Sequence, residues 1–355
     1  MSEWNVEVVK INGHRPHPDA DTLFMTNIHG DGRTSEGGYP VIFKNDAFED
    51  GQLVVYVPVD SVLPDLLEYE FIYSMLSRGE DGKVKSKHLD IDGKVKEKYR
   101  RVKAKKLRGI FSMGMMQPLP PLPEGKEKWE VGDIVHEVMG ITKYEPPIEM
   151  LVGDCDKDTG VLPTYTDIDG FRKFSNLFKE GEEVVLTEKL HGTNSRYIYK
   201  DGELVVGSHH RIKKHPSDSI WSKIATIYDL EEKLSKHEGF AIYGEIFGQG
   251  IQNLHYGSKP SLRLFDVLDT TAGKFLDWED FLAFCKDIDI EHVPVLHVGP
   301  LNKELLELRN GQSTLADHIR EGFVIKPIHE QYSNNNRGRK ILKFIGEDYQ
   351  LNKKS

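Results

Sequence analysis

Cysteine is nearly absent: the 355 residues include two, Cys155 and Cys285. These are too few for a disulfide framework, and they lie far in sequence from each other and from any histidine pair in zinc spacing. Long apolar runs are missing as well. No stretch approaches the roughly 18 residues a membrane span needs, and the start, MSEWNVEVVKING, lacks the basic-then-apolar pattern of a signal peptide. The expectation is a soluble cytoplasmic protein with no membrane partner. Positive charge is also in deficit. A net charge of −10 excludes a chain that coats nucleic acid uniformly, because that affinity comes from Lys and Arg displacing phosphate counterions. There is no internal repeat and no low-complexity tract beyond the polar end LNKKS.

What is present is segregated. A chain this long exceeds one ordinary core, so two domains are expected. Between Gly82 and Gly109 twelve Lys or Arg face three acids, Asp90, Asp92 and Glu97. On an acidic protein such a segment suits a polyanion, although charge runs are more often plain solvated loops. The segments WNVEVVKI, YPVIFKN, QLVVYVPV, Val102 to Met116 and DIVHEVMG read as short strands bounded by Gly, Asp, Asn or Pro, the pattern of a small OB-type β-barrel. A sandwich would give a similar pattern. After PLPPLPEGKEKW, the stiff Pro146-Pro147 exit sets an expected boundary near 145 to 150. We therefore expect a nucleic-acid-binding domain over 1–145 and a second domain over 146–355, α+β overall. In the latter, PSDSIWSKIATIYDLEEKLSKH reads as helix, with Pro216 and Ser217 as its cap.

The second half contains VVLTEKLHGTNSRYIY, in which Lys189 ends a strand-like run and Gly192 follows in a tight connection that permits close ligand approach. A lysine at such a place can attack a phosphoryl or carbonyl centre if it is held deprotonated. On spacing alone the ordinary alternative, a strand-end lysine reaching into solvent, is the commoner case. The rest of this half alters the balance. GSHHR, FAIYGEIFG, LRLFDVLD, REGFVIKP and RGRKILKFIG follow in order, each an apolar run carrying charge at fixed points, and together they form an inventory for nucleoside triphosphate chemistry.

EKLHGTN and these later segments resemble the six ordered motifs of the covalent nucleotidyltransferases, that is, RNA and DNA ligases and messenger RNA capping enzymes. His191-Gly192-Thr193-Asn194 is more similar to RNA ligases. The front segments HPDADTLFMTNIHG, VYVPVDSVLP, LRGIFSMGMMQPLP and GITKYEPP resemble the nick-sealing fifth RNA ligase class, whose OB domain precedes the catalytic one. The resemblance implies a catalytic domain of antiparallel sheets and helices, with Lys189 as the nucleophile that takes AMP from ATP. For that attack its amine must be neutral, and Lys326, Lys343 and a divalent metal, Mg2+ or Mn2+, are expected to lower its pKa.

By the same match, Arg211 holds ribose or positions the polynucleotide, and Phe265 stacks on adenine. Glu245 and Glu321 bind ribose or hold waters around the metal, although a strand Glu is more often simply solvated. Glu188 is assigned to adenine or to plain surface, His191 to phosphate or to a structural role, and Asn194 to the sugar or to the turn. Lys326 stands an odd five residues after Glu321, so a bulge or twist must bring both to one ligand. The last motif departs from the K-x-K of relatives: Ile341 fills the first lysine position, which leaves Lys343 as the expected cation and Lys340 as a substitute. The basic residues expected to grip RNA are Lys94, Lys96, Lys98, Arg100, Arg101, Lys103, Lys105, Lys106 and Arg108. The implied partner is nicked duplex RNA or an RNA/DNA hybrid, and the implied enzyme is a monomer. Two other readings, a capping-type guanylyltransferase and a non-catalytic RNA-binding protein, share parts of this inventory.

Overall fold

The structure, a computed structural model, describes residues 4–34, 37–65, 84–90, 92–144, 155–252, 254, 256–336 and 338–352. The expected boundary near 145 to 150 with its Pro146-Pro147 exit, residues 82, 83 and 91 of the basic segment, and Arg337 lie outside the described residues. The chain divides into two compact units over residues 3–148 and 149–354. No helix among the described residues is long and apolar enough to cross a membrane.

Among its described residues the first unit holds ten short strands: β1 (Glu7–Lys10), β2 (Arg15–His17), β3 (Ala20–Ile28), β4 (Tyr39–Lys44), β5 (Leu53–Val57), β6 (Ser61–Val62), β7 (Lys105–Leu107), β8 (Ile110–Ser112), β9 (Met115–Gln117) and β10 (Thr142–Lys143). They pair in the orders β1-β5-β9, β2-β3-β4, β10-β6 and β7-β8, and one helical turn, α1 (Glu97–Arg100), precedes β7. Alternation along β1 and β5 sends Val8, Val55 and Val57 to a core with Val135 and Trp129, and sends Val9, Val54 and Tyr56 to a second core with Val41 and Phe43. A strand buried on both faces reads as a continuous β-branched run, which is why LVVYV was legible.

One expectation fails here. DIVHEVMG is no strand: it meets β1 in one bridge, Glu7 to Ile134, then turns through Met139 N–H to the Val135 carbonyl, leaving Ile134 and Val138 exposed. The Val102 to Met116 stretch holds β7, β8 and the start of β9, and Arg108 and Gly109, both at positive φ, turn β7 back on β8 as a hairpin.

Among its described residues the second unit stacks two sheets. One is formed by β11 (Asp169–Gly170), β12 (Glu183–Glu188), β19 (Val295–Pro300), β20 (Gly322–Pro327) and β23 (Leu342–Ile345), in the order β11-β23-β20-β12-β19. The other has six strands, β13 (Thr193–Lys200), β14 (Glu203–Ser208), β15 (Ile212–Lys213), β16 (Phe240–Phe247), β17 (Ser261–Asp269) and β18 (Lys274–Phe275), in the order β15-β14-β13-β16-β17-β18. A small ribbon of β21 (Tyr332–Ser333) and β22 (Gly338–Arg339) stands apart from both. Val184 and Leu186 of β12 share one face with Phe323, Ile325, Leu342 and Phe344, and that face closes a core with Phe171 and Phe178. The opposite face, carrying Val185, Thr187, Val324, Lys326 and Lys343, turns toward the six-stranded sheet.

The expected helix after Pro216 is two. Helix α2 (Ile220–Ile227) is capped by Ser219, whose Oγ accepts from Ser222 N–H, rather than by Pro216 or Ser217. It breaks at Asp229, which sits at φ 51, before α3 (Leu230–Ser235). A further helix, α4 (Trp278–Asp287), packs Trp278, Phe281, Phe284 and Cys285 into the main core, and α5 (Glu347–Asn352) follows β23 directly.

Candidate active site

Lys189 is the first residue past β12. Its backbone N–H donates to the Gly322 carbonyl at 3.0 Å, which carries the pairing with β20 one step beyond the strand. Its side chain therefore leaves the sheet on the Val185 and Thr187 face. Gly192 then packs against β16 so closely that a Cβ would lie 2.2 Å from the Ile246 carbonyl oxygen. Its lack of a side chain thus serves backbone packing, since its φ is not among the positive ones.

Across from Lys189 stand two carboxylates from different elements. Lys189 Nζ lies 2.9 Å from Glu321 Oε1, and Glu245, opposite Asn194 in the pairing of β13 with β16, adds its charge. Glu321 immediately precedes Gly322, whose φ of 153 breaks the regular alternation of β20. This break supplies the irregularity that the odd spacing from Glu321 to Lys326 requires.

The protonation states differ from the sequence expectation. Burial pushes the Lys189 amine down, but the Glu321 and Glu245 carboxylates outweigh it and hold the ammonium above its ordinary value. Burial acts to raise the Glu321 carboxyl too, yet Lys189 and His191 bring it down to about 2. Glu245 goes the other way. Burial pushes it up to about 7, Glu321 adds to that, and Lys189 and the Gly192 N–H offset only part. These two carboxylates hold Lys189 charged, and of the cations expected to lower its pKa Lys326 is bound elsewhere, to Asp266.

The other predicted residues divide. His191 is held here: its N–H donates to the Tyr256 hydroxyl at 2.8 Å, and its Nδ1 lies 2.9 Å from the Tyr349 hydroxyl and 3.6 Å from Glu321 Oε2. Asn194 Oδ1 is buried and has no hydrogen-bond partner among the described residues, an orphan acceptor beside Glu245. Phe265 is the extra residue of a β-bulge, since Tyr243 pairs with Asp266 and Gly244 with Leu264. A bulge re-aims a side chain; this one leaves the Phe265 ring half-buried, 4.9 Å from that of Tyr165. Lys343 pairs with Val324, which pairs with Thr187, so its side chain emerges on the Lys189 face. Its charge reaches His209, which burial first, and then His210, Arg196 and Lys343, hold down at about 4. Arg211 is exposed at the surface, its carbonyl accepting from Ser208 N–H.

Three predicted residues are engaged elsewhere. Lys326 pairs with Val185, four residues or about 13 Å of strand from Lys189. Its ammonium sits 2.9 Å from buried Asp266 and over the Trp278 and Phe281 rings. Asp266 in turn accepts from Arg339 and Tyr165, each at 2.8 Å, and Arg339 binds Glu330, so the lysine charge is spent within a closed buried network. Lys340 is ion-paired with Glu182 and lies over the Phe178 ring. Glu188, 2 % exposed, accepts from the Ser313 hydroxyl at 2.6 Å and from the Thr314 N–H and hydroxyl at 2.8 and 2.7 Å. It pins the 313–314 turn and presents no free carboxylate. Sequence reasoning missed Tyr256, Tyr349, Asp266 and Arg339: the tyrosines meet His191, and Asp266 meets Lys326 and Arg339, across 60 or more residues, which leaves no local pattern.

Glu245 and Glu321 offer hard oxygen donors where one ammonium faces two carboxyls. Among the described residues no three His, Cys, Asp or Glu form a cage. That donor set fits a cation that keeps most of its own waters, as Mg2+ does.

In the first unit the basic residues also divide. Arg101 binds Asp60 through Nε and Nη2 at 2.8 and 2.5 Å, and Arg100 donates to the Val95 and Leu63 carbonyls. Both therefore serve the fold rather than a surface grip. Lys96 donates to the Lys87 carbonyl, Lys103 is half-buried, and Arg108 reaches the Asp19 carbonyl at 3.2 Å. Lys94, Lys98, Lys105, Lys106 and Arg108 remain exposed.

Residues 182–345 match the family described as RNA ligase, and residues 5–119 match an OB-fold domain. Among solved structures, a Naegleria gruberi RNA ligase with pyrophosphate aligns at 23% identity and a TM-score of 0.77, covering 98% of both chains. A mutant of that ligase with ATP and manganese aligns at 22% and 0.78, again over 98% of both chains. A mutant with AMP and manganese gives 23% and 0.76. No curated protein matches the chain. These likenesses show the fold: an OB-fold domain followed by an RNA ligase domain.

Proposed function

We propose for this chain, whose residues 182–345 match the RNA ligase family, an ATP-dependent ligase that seals RNA breaks bearing 3′-hydroxyl and 5′-phosphate ends, nicks in duplex RNA or RNA/DNA hybrid among them. The observation that carries the reading is Lys189 held between Glu321 and Glu245 beside the orphan Asn194 acceptor. On this reading Lys189 gives up a proton and its Nζ attacks the α-phosphorus of ATP. A P–N bond forms, the P–O bond to pyrophosphate breaks, and pyrophosphate leaves. A 5′-phosphate oxygen next attacks the same phosphorus and the P–N bond breaks, with the lysine amine recovering a proton. Attack by the 3′-hydroxyl on the activated 5′-phosphorus then expels AMP. Positioning and charge neutralisation carry such transfers.

The structure suggests how the first step is gated. The carboxylates that keep Lys189 protonated also form the oxygen-rich pair suited to a cation. A divalent ion held by Glu245 and Glu321 through water would neutralise them and stabilise charge on the phosphates. On this reading Lys343, on the Lys189 face, meets the polyphosphate, Phe265 offers a ring to the base, and Asn194 offers an acceptor to a ribose hydroxyl. Lys94, Lys98, Lys105, Lys106 and Arg108 supply the exposed cationic surface for an RNA backbone. ATP as substrate and the unpaired cysteines suit action in the cytoplasm.

The test is sealing of a labelled strand in nicks with RNA or DNA on each side, by the parent and by Lys189→Ala. Joining that needs ATP, RNA at the break and Lys189 is expected. Joining of equal rate by Lys189→Ala would refute the assignment.

A further inference from the structure

A residue in a β-bulge is not aimed by regular strand pairing, so what points the Phe265 ring must come from its neighbours. On one side the ring packs against Leu190, Phe247 and Tyr256, next to the residue that follows Lys189, and on the other against Leu162, Tyr165 and Tyr243. The Tyr165 ring meets it edge to face, at 4.9 Å between centroids and 67° between planes. Such a contact occupies at most one face of the Phe265 ring and leaves the other for a ligand.

Tyr165 lies on the stretch that leads into β11, and it is fixed at both ends. Its own segment is bolted to the six-stranded sheet: Arg196 donates to the Leu162 carbonyl, and the Tyr243 hydroxyl donates to the Pro163 carbonyl at 3.0 Å. At the far end of the ring, the Tyr165 hydroxyl donates to Asp266 Oδ2 at 2.8 Å and accepts from Arg339 Nη1 at 3.3 Å. Asp266, fully buried, is itself gripped by Lys326 at 2.9 Å and by Arg339 Nη2 at 2.8 Å. The network that absorbs the Lys326 charge thus closes a circuit. Phe265 joins Asp266 through the backbone, Asp266 holds the Tyr165 hydroxyl, and the Tyr165 ring returns to that of Phe265.

From this circuit, and resting on the ligase reading above, we infer that Tyr165 is a positioning residue that presets the Phe265 ring for the nucleobase of ATP. A ring ordered before binding spares the entropy of ordering it on binding. The benefit therefore falls on nucleotide affinity. The chemistry at the α-phosphorus takes place at Lys189 Nζ and does not share in it.

The test separates affinity from rate in the formation of lysyl-AMP. Tyr165→Leu, which removes the ring, should raise KM for ATP about tenfold with kcat unchanged, a loss on the scale of base stacking. Tyr165→Phe, which keeps the ring packed, should melt at a lower temperature yet stay within about threefold of the parent KM. In a Phe265→Leu background Tyr165→Leu should add nothing, because coupled residues fail to add. A parent-like KM for Tyr165→Leu, a fall in kcat at unchanged KM, equal KM values for the two Tyr165 variants, or an equal rise in the Phe265→Leu background would each overturn the inference. Spectra of the parent decide the matter even if Tyr165→Leu does not fold. Nuclear Overhauser contacts between the Tyr165 and Phe265 rings should persist when ATP is added, and the adenine protons should shift upfield; a Phe265 ring that leaves Tyr165 on binding would overturn it. A parent that binds ATP without joining RNA would instead fail the ligase reading, and the ring contacts and ATP affinities would still decide the role of Tyr165.

Discussion

Glu245→Gln gives the most quantitative test of the electrostatics around Lys189. In the folded protein burial and Glu321 raise the Glu245 carboxyl from the usual 4.5 to about 7. A raised acid favours folding while it stays protonated. Its contribution is therefore fully present below pH 4.5 and is lost as pH rises through 7. At 1.36 kcal/mol per pH unit the ionised form is disfavoured by ~3 kcal/mol. Glu245 keeps some contact with solvent, so we take about half, ~1.5 kcal/mol, as the expected effect. Glutamine cannot ionise. The variant should match the parent near pH 5 and exceed it at pH 8.5, by roughly 3–6 °C in melting temperature for a domain of this size. The assay is a melting series over that range without divalent metal, followed by the same series with manganese. The metal should narrow the gap, because an ion bound at Glu245 compensates its charge. A gap independent of pH, or a variant less stable at pH 8.5, would refute the reasoning.

Other outcomes follow from the same geometry. Lys326→Met should lower stability by ~3–5 kcal/mol in a denaturation assay, since it leaves Asp266 buried with one fewer partner. The folded fraction should still adenylylate Lys189 within a few-fold of the parent rate, and a total loss would mean that Lys326 acts on the nucleotide. Glu188→Ala should cost about 3 kcal/mol by stranding the Ser313 and Thr314 donors, read by melting. Changing Lys94, Lys98, Lys105 and Lys106 to alanine should flatten the salt dependence of RNA binding by about 0.9 for each phosphate that these lysines neutralise. Arg101→Ala should instead lower the melting temperature, because its guanidinium holds Asp60.

Much of the second unit was legible because its strands are apolar runs interrupted by charge at fixed points, and those points coincide with family motifs. EVVLTE with Lys189 behind it gave the strand and its terminal amine. What sequence could not give was partnership. Lys326 carries the same charge as Lys343 and stands on the same face, but Asp266, 60 residues upstream, claims it. Arg101 and Lys105 look alike in a basic run, yet one is 6% exposed on Asp60 and the other is open to solvent. DIVHEVMG has the composition of a strand and lacks a neighbour to pair with beyond one bridge. Tyr349 belongs to no pattern, and only the fold brings it to His191.

The central claim is that the Lys189 amine becomes covalently joined to AMP. Incubating the protein with ATP and manganese, digesting it, and mapping the modified peptide by mass spectrometry addresses this directly. The account predicts one adenylyl group, on Lys189, released as AMP in acid. An unmodified Lys189 peptide under conditions where the protein joins RNA would contradict it.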